Sequence, residues 1–132
     1  MNIRLAHSIV KKLELKRNSD DDSGEDNCDL SFSVGYDNDN EKEFAIFFFV
    51  QLRSQANLKI ELEYISYFET SEQINDEFKA SHFPKINAPA IAFPFLRSFI
   101  ATLTVNAGYT PVMLPSVNFT KVKTEDNNIF NL

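Results

Sequence analysis

From Leu30 onward apolar residues fall at every second position: Leu30, Phe32, Val34 and Tyr36 alternate with Ser31, Ser33 and Gly35. A period of two gives a strand one apolar face and one small, polar face. The turn-forming run at residues 37–40, DNDN, ends this strand, predicted over about 30–36. A second strand is expected over about 44–53. After the break at 54–57, Leu58, Ile60, Leu62 and Tyr64 alternate with Lys59, Glu61 and Glu63, which predicts another over about 58–68. Upstream, Ile9, Leu13 and Leu15 set against Val10, Lys12, Glu14 and Lys16 are nearly alternating and predict a first strand over about 8–17. Between the first two lies NSDDDSGEDNCD, residues 18–29, whose six carboxylates call for a solvated connection. Four such strands imply an antiparallel sheet.

After Phe68 the period changes. Thr70 followed by Gln73 matches a capping box and predicts a short helix over about 71–80, stopped by Pro84. Pro89 suits the first turn of a second helix over about 89–107, where it sacrifices no bonded N–H. Ala92, Leu96, Phe99, Ile100 and Leu103 recur at steps of three and four, giving one apolar face that ends near Gly108. Pro94 interrupts it at about 3 kcal/mol, so the helix is kinked there or begins later. The remainder reads as irregular chain and a polar tail at 120–132. The expected fold is α+β: one domain over residues 1–132, a four-stranded antiparallel sheet with a long helix on one face.

The stretch EFAIFFFVQL, residues 43–52, makes both faces of its strand apolar. Phe44, Ile46, Phe48, Val50 and Leu52 are the expected core face. If the hairpin turns near Ala56, partners sum to about 112, setting Phe47 opposite Ile65, Phe49 opposite Glu63 and Ala45 opposite Tyr67. Phe47, Phe49, Ile65 and Tyr67 then share the outward face with Lys59, Glu61, Glu63 and Glu69. Such a group invites a cover. Three are open: a second layer from the chain's own ends, an oligomer interface, or transient apolar partners.

Composition narrows the functional classes. At 132 residues the chain suits a single domain. A net charge of -6 and a pI near 4.8 argue against nucleic acid and anionic membrane, and favour basic or unfolded partners. Cys28 is a single cysteine, and Arg4, His7, Lys11, Lys12 and Glu14 break up any apolar export block, so a cytoplasmic location is expected. Uncharged apolar stretches fall below the ~20 residues of a membrane span, so no membrane insertion is expected. Three glycines in no phosphate-cradling array imply no nucleotide cofactor. Asn18, Asp20, Asp22, Asp26 and Asp29 are spaced somewhat like a calcium loop, but Ser23 stands where its glycine belongs, which favours a solvated loop. His7, His82 and Cys28 are dispersed, no general base neighbours a nucleophile, and an enzyme is not expected. Asn118-Phe119-Thr120 matches a glycosylation acceptor by chance. Arg97 either pairs across an interface or faces solvent.

Residues 86–119, INAPAIAFPFLRSFIATLTVNAGYTPVMLPSVNF, resemble the signature region of the SecB export chaperones. The resemblance is carried by Pro89, the triplet Phe93-Pro94-Phe95, Arg97, Gly108, a following proline and Val117-Asn118-Phe119. It implies a SecB-like α+β protomer, a tetramer built as a dimer of dimers with long helices between sheets, and an ATP-independent holdase for unfolded or pre-secretory chains. On that reading Phe47, Phe49, Ile65 and Tyr67 contact clients, while Ala92, Phe95, Leu96, Phe99, Ile100 and Leu103 serve protomer association. Glu61, Glu63 and Glu69 form an acidic face for partners. Two departures weigh against contact with the translocation motor SecA. The family's final helix is replaced by TKVKTEDNNIFNL, and the acidic first connection lacks the aromatic the family carries there. A SecB-like protein dedicated to one partner, such as the antitoxin of a toxin–antitoxin pair, is the alternative.

Overall fold

A computed structural model describes residues 1–17, 25–122 and 128–131. Strands β1 (Ile3–Arg17), β2 (Asn27–Asp37), β3 (Asn40–Ser54), β4 (Leu58–Thr70) and β5 (Asn128–Asn131) form one antiparallel sheet in the order β1-β4-β3-β2-β5. The sheet is thus five-stranded: the expected four strands are joined by β5 from within the predicted polar tail, paired with Asn27–Leu30. β1 and β2 also begin earlier than the alternation suggests, because ladder hydrogen bonds are made by the backbone and continue where the side-chain pattern is polar. Most of the acidic connection, including Asn18, Asp20, Asp22 and Ser23 of the calcium-loop reading, lies outside the described residues.

The hairpin β3–β4 has the register sum of 112: Phe47 faces Ile65, Phe49 faces Glu63 and Ala45 faces Tyr67. Its turn holds Gln55 and Ala56 at φ of 54° and 65°. The Gln55 side chain is fastened to the far end of the fold, its Nε2 donating to the Thr110 carbonyl at 2.8 Å. β1 departs from simple alternation. Register breaks between Leu5 and His7 and between Val10 and Lys12 each insert a residue and reverse the faces. Ile9 consequently stands opposite Ile65 on the outer face, whereas Leu13 and Leu15 stand opposite Leu62 and Ile60 on the helix side. These three residues do not share one face.

On the helix side Phe32, Ile46, Phe48, Leu58, Ile60, Leu62 and Phe68 are fully buried, under a layer made of α1 (Asp76–Ala80), α2 (Ala88–Asn106) and the chain that follows. α1 is shorter than predicted. Thr70 remains in β4 and its hydroxyl donates to the Glu72 carbonyl, so it cannot cap; Asn75 does so, its Oδ1 accepting from the Phe78 N–H at 2.8 Å. Pro84 does not stop a helix. It sits in the first turn of a π-helical segment, Phe83–Asn87, that leads directly into α2, and there its missing N–H is no loss. Pro94 lies within α2 on the exposed side. At the other end Tyr109 donates to the Thr104 carbonyl and Gly108 to that of Val105, with Gly108 at φ 94°. This double closure requires a left-handed residue, which glycine supplies.

The chain after α2 was expected to be irregular; without regular structure, it is nonetheless a core layer. Val112, Leu114 and Phe119 are buried, and Phe119 packs edge-on against Phe32 at 5.8 Å and Phe93 at 5.5 Å. Thr104, fully buried, holds it in place: its Oγ1 donates to the Ile100 carbonyl at 2.9 Å and accepts from the Val112 N–H at 3.0 Å. The helical run Phe83–Asn106, 24 residues, is long and apolar enough to cross a membrane by length and composition, as core helices also are. Lys85 and Arg97 are its charged residues, and Ala92, Phe93, Leu96 and Ile100 are buried against the sheet.

Candidate functional site

On the outer face the strands align in rows. Ser33, Phe47, Ile65 and Ile9 make one; Gly35, Ala45, Tyr67 and His7 the next; Ser31, Phe49, Glu63 and Lys12 flank them on the other side. Of the four aromatic and aliphatic residues expected there, Phe49 is 38% exposed, Phe47 and Tyr67 are half-buried, and Ile65 is only 5% exposed. Ile65 is therefore the floor of the patch, enclosed by its neighbours in the row, and the rings around it are the accessible part. Ile9, 43% exposed, extends the patch to β1, and His7 stacks on Tyr67 with ring centroids 4.8 Å apart. Sequence reasoning missed both, since their side depends on a bulge that the near-alternation of β1 conceals. The polar pair Lys11-Lys12, breaking the period after Val10, is the only local sign of it.

Glycine at 35 shapes the patch. The ring of Phe47 lies so close that a Cβ at this position would stand 2.4 Å from its Cε2. The ring thus leans across β2 instead of projecting from β3. Together with Ala45 and Tyr67 it walls a small apolar recess, with Asp37 and Glu43 at its border. A larger depression beside Phe49 is bordered by Lys12, Asp29, Gln51, Glu61 and Glu63.

The acids on this face are partly matched by bases of β1. Glu69 bonds Arg4, Glu61 bonds Lys12 at 3.3 Å, and Glu14 bonds Lys16 at 2.8 Å. The hydrogen bond and charge of Lys16 hold the Glu14 carboxyl below the usual carboxylate range, and Glu14 in turn raises the Lys16 ammonium. Glu61, Glu63 and Glu69 share one strand face with the apolar patch between Glu63 and Glu69, so they border it without forming a continuous acidic surface.

The helix residues assigned to protomer association divide. Ala92, Leu96 and Ile100 have no exposed surface: the protomer's own sheet takes that side of α2. Phe95 is 56% exposed, and Phe99 and Leu103 are half-buried. Ile91 and Val105 add exposed apolar surface to the same helix. Phe99 meets the Tyr64 ring at 5.7 Å, and Tyr64 pairs with the exposed Val10 of β1, so a second apolar surface runs from α2 to that edge. A helical repeat of apolar residues marks burial without saying whether the covering surface belongs to the same chain. Arg97 is half-buried, and its enclosed Nε has no hydrogen-bond partner among the described residues. Burial pushes the Cys28 thiol up to about 12, with a smaller contribution from the charge of Asp29. No group of three His, Cys, Asp or Glu side chains among the described residues is placed to hold a metal.

Residues 15–128 match the family model of the preprotein translocase subunit SecB. The protein-export protein SecB of Rhodospirillum centenum is 40% identical over 60 residues, which cover 46% of this chain and 35% of that protein. That of Anaplasma phagocytophilum is 39% identical over 61 residues, 45% of this chain and 38% of the relative. These alignments therefore span little more than a third of the SecB proteins they match. A Methanocaldococcus jannaschii protein, MJ0357, is 27% identical over 124 residues, 88% of this chain and 79% of its own length. Among solved structures, the fold resembles the Mycobacterium tuberculosis Rv1957 SecB-like chaperone, in complex with a ChAD peptide from the HigA1 antitoxin. That likeness has a TM-score of 0.68 at 13% identity, covering 88% of this chain and 90% of the other.

Proposed function

The chain belongs to the SecB family, and from that premise we propose that it is an ATP-independent holdase that binds apolar segments of unfolded or nascent polypeptides in the cytoplasm. The observation that carries this reading is the outer-face patch of Phe47, Phe49, Tyr67 and Ile9 around the buried floor of Ile65. Aromatic and branched side chains suit the task, since each removes apolar surface from water at ~25 cal/mol per Å² without demanding one partner geometry. Holding a chain in this way needs neither catalyst nor cofactor. Association of protomers through Phe95, Phe99 and Leu103, as a dimer of dimers, repeats the patch around the assembly and raises avidity for a long client. Neither nucleic acid nor a membrane is a partner on this reading, and contact with SecA is not part of it.

A second reading is a chaperone dedicated to one partner, such as an antitoxin. It is favoured by the resemblance to the Mycobacterium tuberculosis SecB-like chaperone, which is seen with an antitoxin peptide. Suppression of aggregation separates the two. Stoichiometric protection of two unrelated denatured proteins without ATP is the expected result, and protection of neither favours the dedicated partner. Phe47→Ser with Phe49→Ser should remove protection while circular dichroism stays native; undiminished protection would move the client surface elsewhere.

A further inference from the structure

The outer apolar patch has an ionisable ring at its β1 border. His7 is exposed and stands opposite Tyr67, and its imidazole lies nearly parallel to the phenol ring, with centroids 4.8 Å apart and planes 18° from each other. Tyr67 lines the apolar recess beside Phe47 and Ala45, so the imidazole extends that surface by one further ring. Two residues along β1, Ile9 stands opposite Ile65 on the same side. A client lying across Phe47, Tyr67 and Ile9 would cover part of His7 as well.

Imidazole changes its charge between pH 5 and 8. Uncharged, the ring is a flat, largely apolar surface on which a client can lie at small cost. Charged, it loses hydration when a client covers it, and only a free acid beside it would offset that loss. The acids facing it are engaged elsewhere. On β4 Glu69 bonds Arg4 of β1, and on β3 the Glu43 carboxylate accepts from the Asn40 amide at 3.1 Å. Glu63, on the same face of β4, lies beyond Ile65 and opposite Lys12, which itself bonds Glu61 at 3.3 Å. On β1 itself Arg4, Lys11 and Lys12 bring like charge. Among the described residues His7 makes no ion pair.

We propose that His7 makes the client surface acid-sensitive: protonation of its imidazole weakens the hold on apolar segments, so affinity falls as pH falls from 7.5 to 5.5. The inference rests on the outer face being the client surface and adds how its grip is regulated.

The test uses the full chain and a rhodamine-labelled eight-residue probe alternating Phe or Leu with Ser, closed by an amidated arginine so that the peptide keeps its charge across the interval. The dissociation constant should rise about fivefold from pH 7.5 to 5.5, a modest change because the covered ring stays partly hydrated. His7→Gln is uncharged at every pH and should hold within about twofold across the interval, whereas His7→Lys, charged throughout, should bind weakly at both ends. His82→Gln replaces the chain's other histidine, in the helix layer, and should retain the full change. No change in the unaltered chain, a change that survives in His7→Gln, or tight binding by His7→Lys overturns the proposal. Phe47→Ser with Phe49→Ser keeps the two claims apart. If that variant binds the probe at pH 7.5 as the unaltered chain does, the outer-face reading fails and this one with it; if it binds weakly while the unaltered chain is indifferent to pH, only the role of His7 fails.

Discussion

The ring of Phe47 rests over Gly35 of the neighbouring strand, so close that a single added methyl would stand 2.4 Å from its Cε2. The contact makes Gly35 a matter of space and ties the shape of the outer patch to one missing side chain. Gly35→Ala should lower stability by about 1–3 kcal/mol, as overpacking does, by forcing the ring off the sheet. Phe47→Leu should recover part of that loss, so the double-mutant cycle shows coupling well above the ~0.5 kcal/mol expected of independent sites. Urea midpoints of the four chains measure it.

Ile9 stands in the outer row opposite Ile65 because of the bulge beyond Val10. Being 43% exposed, it contributes little to the protomer's core. Ile9→Ser should change stability by less than about 1 kcal/mol while weakening protection of a denatured client. Leu62→Ser, on the buried side of the same sheet, should instead unfold a large fraction of the chain. Aggregation assays alongside thermal melts distinguish the two.

Phe95 and Leu96 are adjacent in sequence and opposite in role, with Phe95 56% exposed and Leu96 fully buried. Phe95→Glu should reduce the oligomeric state in native mass spectra and leave the melting temperature of the protomer fold nearly unchanged. Leu96→Ala should cost about 2–5 kcal/mol of stability through the cavity it leaves. An assembly unaffected by Phe95→Glu would exclude this side of α2 from the protomer interface.

Thr104→Val removes the hydroxyl that accepts from the Val112 N–H. The buried N–H is then left without its partner, at about 1–3 kcal/mol. Because the altered bond fastens the segment carrying Leu114 and Phe119, hydrogen exchange at Val112 should accelerate more than exchange in β3.

Cys28 is buried, and its thiol titrates near 12 instead of the ordinary 9.0. A folded-state value raised above the unfolded one contributes stability that is fully present below about 9 and is lost as pH rises towards 12. Cys28→Ala should therefore flatten the decline in stability across that interval, read from urea midpoints at successive pH. At pH 8 the native thiol should react with a thiol reagent far more slowly than the denatured one.

Alternation from Leu30 to Tyr64 determined much by itself: three of the strands, the inward side of β3 and β4, and, once the turn was placed near Ala56, the pairing of Phe47 with Ile65. These are local facts, because a period of two and a short turn leave one arrangement that buries the apolar face. The family likeness over residues 86–119 was equally legible, being an ordered set of prolines, glycine and aromatics. Tertiary structure alone decided the rest. It placed Ile9 and Leu13 on opposite faces, since a bulge answers to the partner strand and leaves little trace in the pattern. It assigned Leu96 and Ile100 to the protomer's own core and left Phe95 outside, a division made by where the sheet lies under α2. It brought β5 to β2 across nearly a hundred residues of sequence, and it laid Phe47 over Gly35, because contacts between distant segments are set by which surfaces the packed chain brings together.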